Sequence, residues 1–474
     1  MAKKMRRGEK APESIIKTLE AAVKLPFDEG MIEEGNLFME LAIDPQARAL
    51  QHMFFAERQA NKIANVSKSA KAKDIKSLGI VGAGLMGGGI AMCAANAGIK
   101  VVLLDISEDA VKKGLAVILK NYQRSQKRGK LTEAKVQKRM SLIQPSTNYE
   151  DFSDCDMIIE AVFENMDIKK KIFRQLDQVC KPGAFLCTNT SALDIDEIAS
   201  ATNRPEFVAG THFFSPANVM KLLENVRGKK TNDETILTIM AFGKKIRKVA
   251  TLVGNCHGFV GNRMIAFYTE QAMALITEGA LPGQVDKVAY EFGMPMGPFQ
   301  MMDLVGLDLS WRERKRAGTD DPKNNVADAL CEEGRLGQKT GKGFYQYDEN
   351  RRPVPDDHVS NLIVQVSKNR NVTRRNISDE EILQRLFYPL INEGFKILEE
   401  GYAQRPSDID VVYCYGYGFP RYRGGPMKYA DEVGLDHIAE SLSKLGFQPS
   451  NLLLEAAKKG SLARLWKAKM KAKL

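Results

Sequence analysis

The sequence predicts a doubly wound, mostly parallel α/β domain followed by two similar all-α domains. Short apolar runs alternate with helical stretches from about residue 75 to residue 253. A glycine-rich turn follows the first run, and a helical segment near the carboxyl terminus repeats an earlier one. The length of 474 residues suits about three domains. With 44% hydrophobic and 27% charged residues, the composition is that of a globular protein.

Residues 1–73 predict helices and a linker ahead of the sheet domain. The stretch ESIIKTLEAAVKL has apolar residues at helical spacing, and PQARALQHMFFAERQANKIA predicts a longer amphipathic helix. The Ser/Lys/Ala-rich stretch NVSKSAKAKD is typical of a linker. The basic amino terminus is not followed by an apolar segment, so it does not resemble a secretory signal.

The predicted sheet domain, residues 74–254, contains runs rich in Val, Ile and Leu. These runs are SLGIVG, KVVLLD, MIIEAV, AFLCTNT and FVAGTHF. Helical stretches such as DIKKKIFRQLDQVC separate several of them, which favours a parallel sheet covered on both faces. The uncharged run Ser77–Ile99 is long enough for a membrane helix, but its seven glycines argue against one. We therefore predict no membrane span.

The second half of the chain contains an internal repeat. Glu278–Asp308 and Glu400–Asp436 share Glu-Gly, a helix start bearing a carboxylate, Gly-Pro, an Asp, and Val-Gly-Leu-Asp, in that order. The repeat predicts two copies of one helical domain, at residues 255–370 and 371–474. We interpret the repeated Asp303 and Asp431 as caps that hold the fold, without a catalytic role.

The net charge is +10, which suits nucleic acid, an anionic membrane or an anionic small ligand. No basic run is interleaved with aromatic residues, so we predict no nucleic acid partner. The seven cysteines are odd in number and form no C-x-x-C pair, which indicates reduced thiols. The five histidines are scattered, and no metal-ligand spacing is present.

The glycine-rich turn carries a dinucleotide fingerprint. Gly82, Gly84 and Gly87 form G-x-G-x-x-G after an apolar run, with Leu85 and Met86 opening a helix whose free N–H groups suit a pyrophosphate. Asp105 ends the next predicted strand, where its carboxylate would accept from ribose hydroxyls and repel a 2′-phosphate. The pattern predicts NAD as cofactor within a Rossmann domain. A structural glycine-rich turn with a capping Asp is the alternative.

A nicotinamide cofactor implies hydride transfer, and oxidation of a carbinol also needs a base near neutral pH. The stretch GTHFFSPANVMKLLE contains the candidate base, His212, and a candidate orienting carboxylate, Glu224. The residues KLLENV predict a strand, so a carboxylate there needs a partner. The alternatives are a core histidine and a glutamate paired with a lysine.

Four motifs follow one another at characteristic spacings. They are EAVFENMDIKKKIF, CTNTSAL, GTHFFSPANVMKLLE and GNCHGFVGNRM. In this order they resemble the 3-hydroxyacyl-CoA dehydrogenases of fatty acid β-oxidation, including forms fused to an enoyl-CoA hydratase. The resemblance covers nearly the whole chain. It implies that an acyl-CoA is the substrate and that L-3-hydroxyacyl-CoA is oxidised to 3-ketoacyl-CoA with NAD.

The resemblance also implies roles for individual residues. His212 would be the general base, oriented by Glu224. Ser191 would hydrogen-bond the substrate 3-oxygen, and Asn262 would help to position the thioester end. On the residues alone, a helix cap is an equally good reading of Ser191, because acidic residues follow it.

Three further residues would approach the nicotinamide ribose and ring by the same resemblance: Glu164, Lys169 and Asn189. His257 lies near the last motif, and we interpret it as structural. The Lys-rich stretch Val111–Lys130 loosely resembles the family's CoA-binding region.

Location and assembly are further expectations. The terminal Ala472-Lys473-Leu474 is close to the peroxisomal Ser-Lys-Leu address, which predicts a peroxisomal protein recognised by the import receptor. Residues 1–73 resemble only the tail of a hydratase domain, so we expect no hydratase activity. The second helical copy can take the place that a partner subunit occupies in single-domain relatives, so we expect a monomer.

Two other functions compete with this one. A dehydrogenase of the phosphogluconate type shares the glycine loop but uses a catalytic lysine in its second domain. A non-catalytic CoA- or NAD-binding protein would share the fold alone. The set of His212, Glu224, Ser191 and Asn262 argues against both.

Overall fold

The computed structural model describes residues 6–472 and divides into two compact units. The sheet unit comprises Ala49–Arg263 and Lys396–Tyr417. The helical unit comprises the residues up to Arg48, Met264–Phe395, and the residues from Gly418 onward. Because both units draw on separate stretches of the chain, the three boundaries between the four predicted segments stay predictions.

The sheet unit contains an eight-stranded sheet in the order β3-β2-β1-β4-β5-β6-β7-β8. Its strands are β1 (Ser77–Val81), β2 (Lys100–Leu104), β3 (Ile143–Ser146), β4 (Met157–Glu160), β5 (Phe185–Thr188), β6 (Val208–Phe213), β7 (Leu222–Arg227) and β8 (Val249–Gly254). Strands β1 to β6 are parallel, whereas β7 runs antiparallel to β6 and parallel to β8. The first six strands have the 3-2-1-4-5-6 order of the Rossmann fold, which confirms the predicted fold class.

Helices precede, separate and follow the strands. They are α1 (Ala11–Lys24), α2 (Phe27–Ile43), α3 (Pro45–Ala60), α4 (Leu85–Asn96), α5 (Glu108–Lys127), α6 (Glu133–Met140), α7 (Met166–Val179), α8 (Ile195–Ala199), α9 (Asp233–Lys245), α10 (Gly261–Glu278), α11 (Pro282–Phe292), α12 (Pro298–Val305), α13 (Asp308–Ala317), α14 (Val326–Glu332), α15 (Asp357–Asn369), α16 (Asp379–Glu399), α17 (Pro406–Gly416), α18 (Pro426–Val433), α19 (Leu435–Lys444), α20 (Asn451–Lys458) and α21 (Leu462–Ala472). A short hairpin pairs β9 (Gln346–Tyr347) with β10 (Pro353–Val354). Across residues 6–472, no helix is both long and apolar enough to cross a membrane.

The central strands are buried along their whole length. Every residue of β4, β5 and β6 is buried, as expected for parallel strands with helices on both faces. Ile80, Leu103 and Ile159 lie in the same apolar core as Ile90 of α4. This burial explains why the sequence shows continuous apolar runs instead of alternation.

Strands β6 and β7 form an antiparallel hairpin across the stretch GTHFFSPANVMKLLE. Pro216 O accepts hydrogen bonds from the amides of Val219 and Met220, at 2.9 and 3.0 Å, which turns the chain back. The antiparallel register then places His212 directly opposite Glu224. Opposed residues in an antiparallel pair project from the same face, so the turn brings the two side chains together.

In the helical unit, the repeated aspartates hold backbone segments in place. Asp303 is fully buried and accepts from the amides of Phe344 and Tyr345, at 2.9 and 3.1 Å. Asp431 accepts from the amide of Leu462 at 2.7 Å, where α21 begins. Both carboxylates satisfy N–H groups of loops or helix starts, as their interpretation as caps predicted.

Candidate active site

The core of the candidate site is a buried histidine–carboxylate pair. His212 Nδ1 lies 3.0 Å from Glu224 Oε2, and the two residues are 6% and 0% exposed. An ionised carboxylate only accepts hydrogen bonds, so this contact places the ring proton on Nδ1. The lone pair is then on Nε2, which is the arrangement that a general base needs.

Helix α10 fixes the second oxygen of Glu224. The amides of Val260 and Gly261 donate to Oε1 at 3.1 and 3.2 Å, at the point where the helix begins. A helix amino terminus has unpaired N–H groups and the positive end of the helix dipole, so it favours a carboxylate there. Glu224 is therefore held from both sides and presents one fixed oxygen to His212.

Aromatic rings enclose the imidazole. The ring of Phe214 lies 4.4 Å from that of His212, centroid to centroid, and the ring of Phe259 lies 5.9 Å away. These contacts restrict rotation of the imidazole and reduce its exposure to water. Together with the bond to Glu224, they hold the base in one orientation.

Asn262 and Ser191 meet at the edge of the same region. Asn262 Nδ2 donates to the backbone oxygen of Ser191 at 3.1 Å. The amino-terminal cap of α8 is Asp194, whose side chain accepts from two amides of that helix, so Ser191 is not its cap. Both predicted substrate contacts therefore belong to one hydrogen-bonded group, and both are in the sheet unit.

Glu164 organises the segment that contains Ser191. Its Oε1 accepts from the Thr190 hydroxyl at 2.6 Å, and from the Ser191 amide and hydroxyl at 2.8 and 3.2 Å. Burial raises the pKa of Glu164, but the charge of Lys169 and these hydrogen bonds outweigh it. The pKa of Glu164 therefore lies below its usual value, and the carboxylate remains ionised at neutral pH.

Lys169 lies in a buried ion pair that the sequence did not predict. Its Nζ is 2.8 and 2.9 Å from the two carboxylate oxygens of Glu160 and 3.4 Å from Glu164 Oε2. Lys169 and Glu160 are both 0% exposed. The Thr188 hydroxyl donates to Glu160 as well, at 2.6 Å. Lys169 thus links the end of β4 to Glu164.

Asn189 connects the ends of two strands. Its Oδ1 accepts from the Phe213 amide at 2.8 Å, next to His212. The end of β5 is thereby tied to the end of β6. Both strands end at the carboxyl edge of the sheet, where open α/β sheets bind their ligands.

The glycine loop has the geometry that a dinucleotide requires. Gly82 has φ +105°, and a Cβ on Gly87 would lie 1.8 Å from Gly82 O, so both positions need glycine. A Cβ on Gly84 would meet nothing within 4 Å, which leaves that backbone open to a pyrophosphate. Leu85 and Met86 begin α4 and supply N–H groups with no partner within the helix. The chain therefore fits NAD at this loop.

Asp105 adjoins the same loop. Its Oδ2 accepts from the Ala83 amide and its Oδ1 from the Ile106 amide, each at 2.7 Å. Each carboxylate oxygen has a second lone pair, which remains for ribose hydroxyls. The carboxylate therefore lies at the end of β2 beside the glycine loop, as the fingerprint predicts.

Family models match most of the chain. The model of the 3-hydroxyacyl-CoA dehydrogenase NAD binding domain matches residues 77–256. The model of the C-terminal domain of the same enzymes matches residues 258–347 and 382–469. The chain belongs to the 3-hydroxyacyl-CoA dehydrogenase family.

Relatives of this family cover almost all of the chain. The peroxisomal bifunctional enzyme of Homo sapiens is 44% identical over 494 residues, which is 97% of this chain and 68% of that relative. Among solved structures, 3-hydroxybutyryl-CoA dehydrogenase from Escherichia coli is 26% identical with TM-score 0.70 and covers 82% of this chain and 99% of its own. The dehydrogenase part of Caenorhabditis elegans multifunctional enzyme 1 is 33% identical with TM-score 0.61 and covers 83% and 92%.

Membership in the 3-hydroxyacyl-CoA dehydrogenase family confirms several predictions. The protein is an NAD-dependent oxidoreductase, and NAD is its cofactor. Relatives from animals and plants are named as peroxisomal, and those from plants also as fatty acid β-oxidation proteins, which confirms the predicted peroxisomal location. The terminal Ala472-Lys473-Leu474 is not part of this finding, because Lys473 and Leu474 lie outside the described residues.

Sequence reasoning missed two parts of this dehydrogenase site. Glu160 was missed, although Lys169 falls on the buried face of α7 with Ile172 and Phe173, and a lysine on such a face needs a partner. Tyr417 was also missed; its hydroxyl donates to Asn262 Oδ1 at 2.7 Å from 155 residues away. No local pattern could have revealed that second contact.

Proposed function

We propose that the protein oxidises L-3-hydroxyacyl-CoA thioesters to 3-ketoacyl-CoA in fatty acid β-oxidation. The observation that carries the proposal is the buried His212–Glu224 pair, with its bond of 3.0 Å, on the sheet that carries the dinucleotide loop. The description of the 3-hydroxyacyl-CoA dehydrogenase family, and the name of the solved 3-hydroxybutyryl-CoA dehydrogenase, support the substrate class. The net charge of +10 suits the polyanionic CoA.

In this function, His212 Nε2 removes the proton of the substrate 3-hydroxyl. NAD, when bound, supplies the acceptor for the hydride from C3. Glu224 stabilises the imidazolium that forms and keeps the ring in one orientation. When substrate binds, the Ser191 hydroxyl rotates its one proton from Glu164 to the 3-oxygen, and Asn262 donates toward the thioester.

We assign the binding region of the nicotinamide ribose and ring to Glu164, Asn189 and Lys169. Glu164 and Asn189 fix the ends of β4, β5 and β6 through the bonds described above. We assign Lys169 a supporting role, because Glu160 and Glu164 surround its ammonium group. Recognition of Ala472-Lys473-Leu474 by the import receptor and a monomeric state are further parts of the proposal.

The direct test is NADH formation from L-3-hydroxybutyryl-CoA, with the D-enantiomer as the matched control. We expect turnover of the L-substrate and at least about 100-fold less with the D-substrate, since a fixed base and hydride acceptor reach only one face of C3. A protein that binds NAD and acyl-CoA without turnover would be the non-catalytic alternative. Turnover of a free 3-hydroxyacid in preference to the thioester would favour the phosphogluconate type.

Glu224→Gln is expected to lower kcat by about 10²-fold, the range for loss of acid–base assistance. The amide keeps the size of the carboxylate but loses the charge that stabilises the imidazolium. Folding and NAD affinity should remain, as measured by circular dichroism and NADH fluorescence. Wild-type kcat in the variant would contradict the role of Glu224.

Asp105→Asn is expected to weaken discrimination between NAD and NADP. Removing the carboxylate charge removes the repulsion of a 2′-phosphate and weakens the bond to the ribose. We expect the ratio of kcat/KM for NAD to that for NADP to fall about 10-fold or more, since hydrogen bonds to charged groups contribute about 1.5–3 kcal/mol. Glu108→Gln removes a charge from the exposed start of α5 and is the matched control. An unchanged ratio in Asp105→Asn would contradict this role.

A further inference from the structure

Two tyrosines of the carboxyl-terminal segment contact the start of α10. The Tyr417 hydroxyl donates to Asn262 Oδ1 at 2.7 Å, and the Tyr413 hydroxyl donates to the backbone oxygen of Gly261 at 3.0 Å. The two rings are stacked, with centroids 4.9 Å apart and planes 20° apart. All four residues belong to the sheet unit.

The hydrogen bonds around Asn262 fix the orientation of its carboxamide. A backbone oxygen only accepts, so the Asn262 atom beside Ser191 O must be the amide nitrogen. The amide oxygen then faces Tyr417, which acts as the donor. Burial and the charge of Glu224 raise the pKa of Tyr417 well above its usual value, so this hydroxyl keeps its proton. The bonds to Ser191 O and to the Tyr417 hydroxyl thereby fix the direction in which the second N–H of the Asn262 amide points.

We propose that Tyr417 is a positioning residue for the dehydrogenase reaction, which orients the Asn262 carboxamide toward the acyl-CoA. The inference rests on the proposed function, in which Asn262 contacts the thioester end. It means that the active site takes one of its supporting contacts from the carboxyl-terminal copy of the internal repeat.

The fit between Tyr417 and α10 is close. A Cβ on Gly261 would lie 2.4 Å from the Tyr417 ring, so glycine at this position lets the ring approach the helix start. The Tyr417 ring also meets Phe214 edge to face, at 5.4 Å, and Phe214 packs on the imidazole of His212. Tyr417 thus contacts both the Asn262 carboxamide and the Phe214 ring that packs on His212.

The segment that carries Tyr417 is itself anchored. His52 Nε2 on α3 lies 2.7 Å from Asp410 Oδ2 on α17, and Asp410 is fully buried. Arg263 makes a bidentate pair with Glu400, at 2.6 and 2.8 Å, just after Asn262. Both contacts precede Tyr417 in the chain and fix the segment that leads to it, so the Tyr417 hydroxyl has a defined position.

Tyr417→Phe keeps the ring and removes only the donor, which makes it the decisive variant. We expect kcat/KM for L-3-hydroxybutyryl-CoA to fall about 5- to 10-fold, the effect of one hydrogen bond of about 1 kcal/mol. The KM for NAD and the melting temperature should stay close to wild type. Tyr415→Phe is the matched control, because this hydroxyl lies only two residues away, in the last turn of α17, but bonds Glu57 on α3.

A double-mutant cycle with Asn262→Ala separates positioning from general packing. If Tyr417 acts through Asn262, Tyr417→Phe should change kcat/KM by less than about 2-fold in the Asn262→Ala background. An equal loss in both backgrounds, or wild-type kcat/KM in Tyr417→Phe, would overturn the inference while leaving the proposed function intact. A wild-type protein with no activity on the thioester would instead sink the proposed function, and the inference with it.

Discussion

His212→Gln is expected to lower kcat for L-3-hydroxybutyryl-CoA by about 10²- to 10⁴-fold, the range for loss of a general acid–base group. Glutamine can still donate a hydrogen bond to Glu224 from its amide, so the buried carboxylate keeps a partner. It has no basic nitrogen, and nothing replaces Nε2 as the acceptor of the substrate proton. The change therefore tests the proton transfer itself and disturbs the surroundings little.

Steady-state NADH formation measures the loss, and NADH fluorescence titration shows whether the cofactor still binds. His257→Gln is the matched control, because His257 is close in sequence to Asn262 but exposed, and we interpret it as structural. It should leave kcat within about 2-fold of wild type, as surface substitutions usually do. Loss of activity in His257→Gln, or less than about 10-fold loss in His212→Gln, would contradict the assignment of the base.

Much of this site could be predicted because its parts are local in sequence. The glycine loop and Asp105 belong to one β-α-β unit, whose geometry the spacing of the residues determines. His212 and Glu224 are on adjacent strands of one hairpin, so a turn between them is enough to set their contact. In both cases the chain between the residues is short and regular, and periodicity predicts its path.

The rest of the site depends on contacts that no local pattern encodes. Tyr417 meets Asn262 from 155 residues away, and the carboxyl-terminal segment is divided between both compact units. Repeat detection indicates that two similar helical segments exist, but not which surface each one covers. The contact depends on the packing of α17, which only the folded chain reveals.

Lys169 shows what the sequence could and could not reveal. The resemblance to the family implies that it approaches the nicotinamide ribose, which stays a prediction, and the structure places its Nζ 3.4 Å from Glu164 Oε2. Its principal partner, Glu160, is nine residues earlier, at the end of a buried strand. The run MIIEAV shows a glutamate at the end of this strand, but no local pattern identifies the cation that lies beside it, so the ion pair had to come from the structure.

Lys169→Met is expected to destabilise the sheet unit by about 3–5 kcal/mol, the range for removing one partner of a buried ion pair. Methionine fills a similar volume, so the loss arises mainly from Glu160, which would remain buried without its cation. The Thr188 hydroxyl and the Val162 amide would still donate to Glu160, at 2.6 and 2.8 Å. Hydrogen exchange of the β4 and α7 amides measures the free energy of opening of this region.

Lys170→Met is the matched control. Lys170 is the next residue and pairs with the half-exposed Glu197 at 2.7 Å, and such surface pairs contribute at most about 1 kcal/mol to stability. The double variant Lys169→Met with Glu160→Gln removes the orphaned charge, so it should recover part of the stability lost in the single variant. If Lys169→Met were as stable as Lys170→Met, the buried pair would not hold this region together. The contacts from Glu160 through Lys169 to Glu164 would then add no measurable stability. Glu164, which bonds the loop that contains Ser191, would have to be held in place by other contacts.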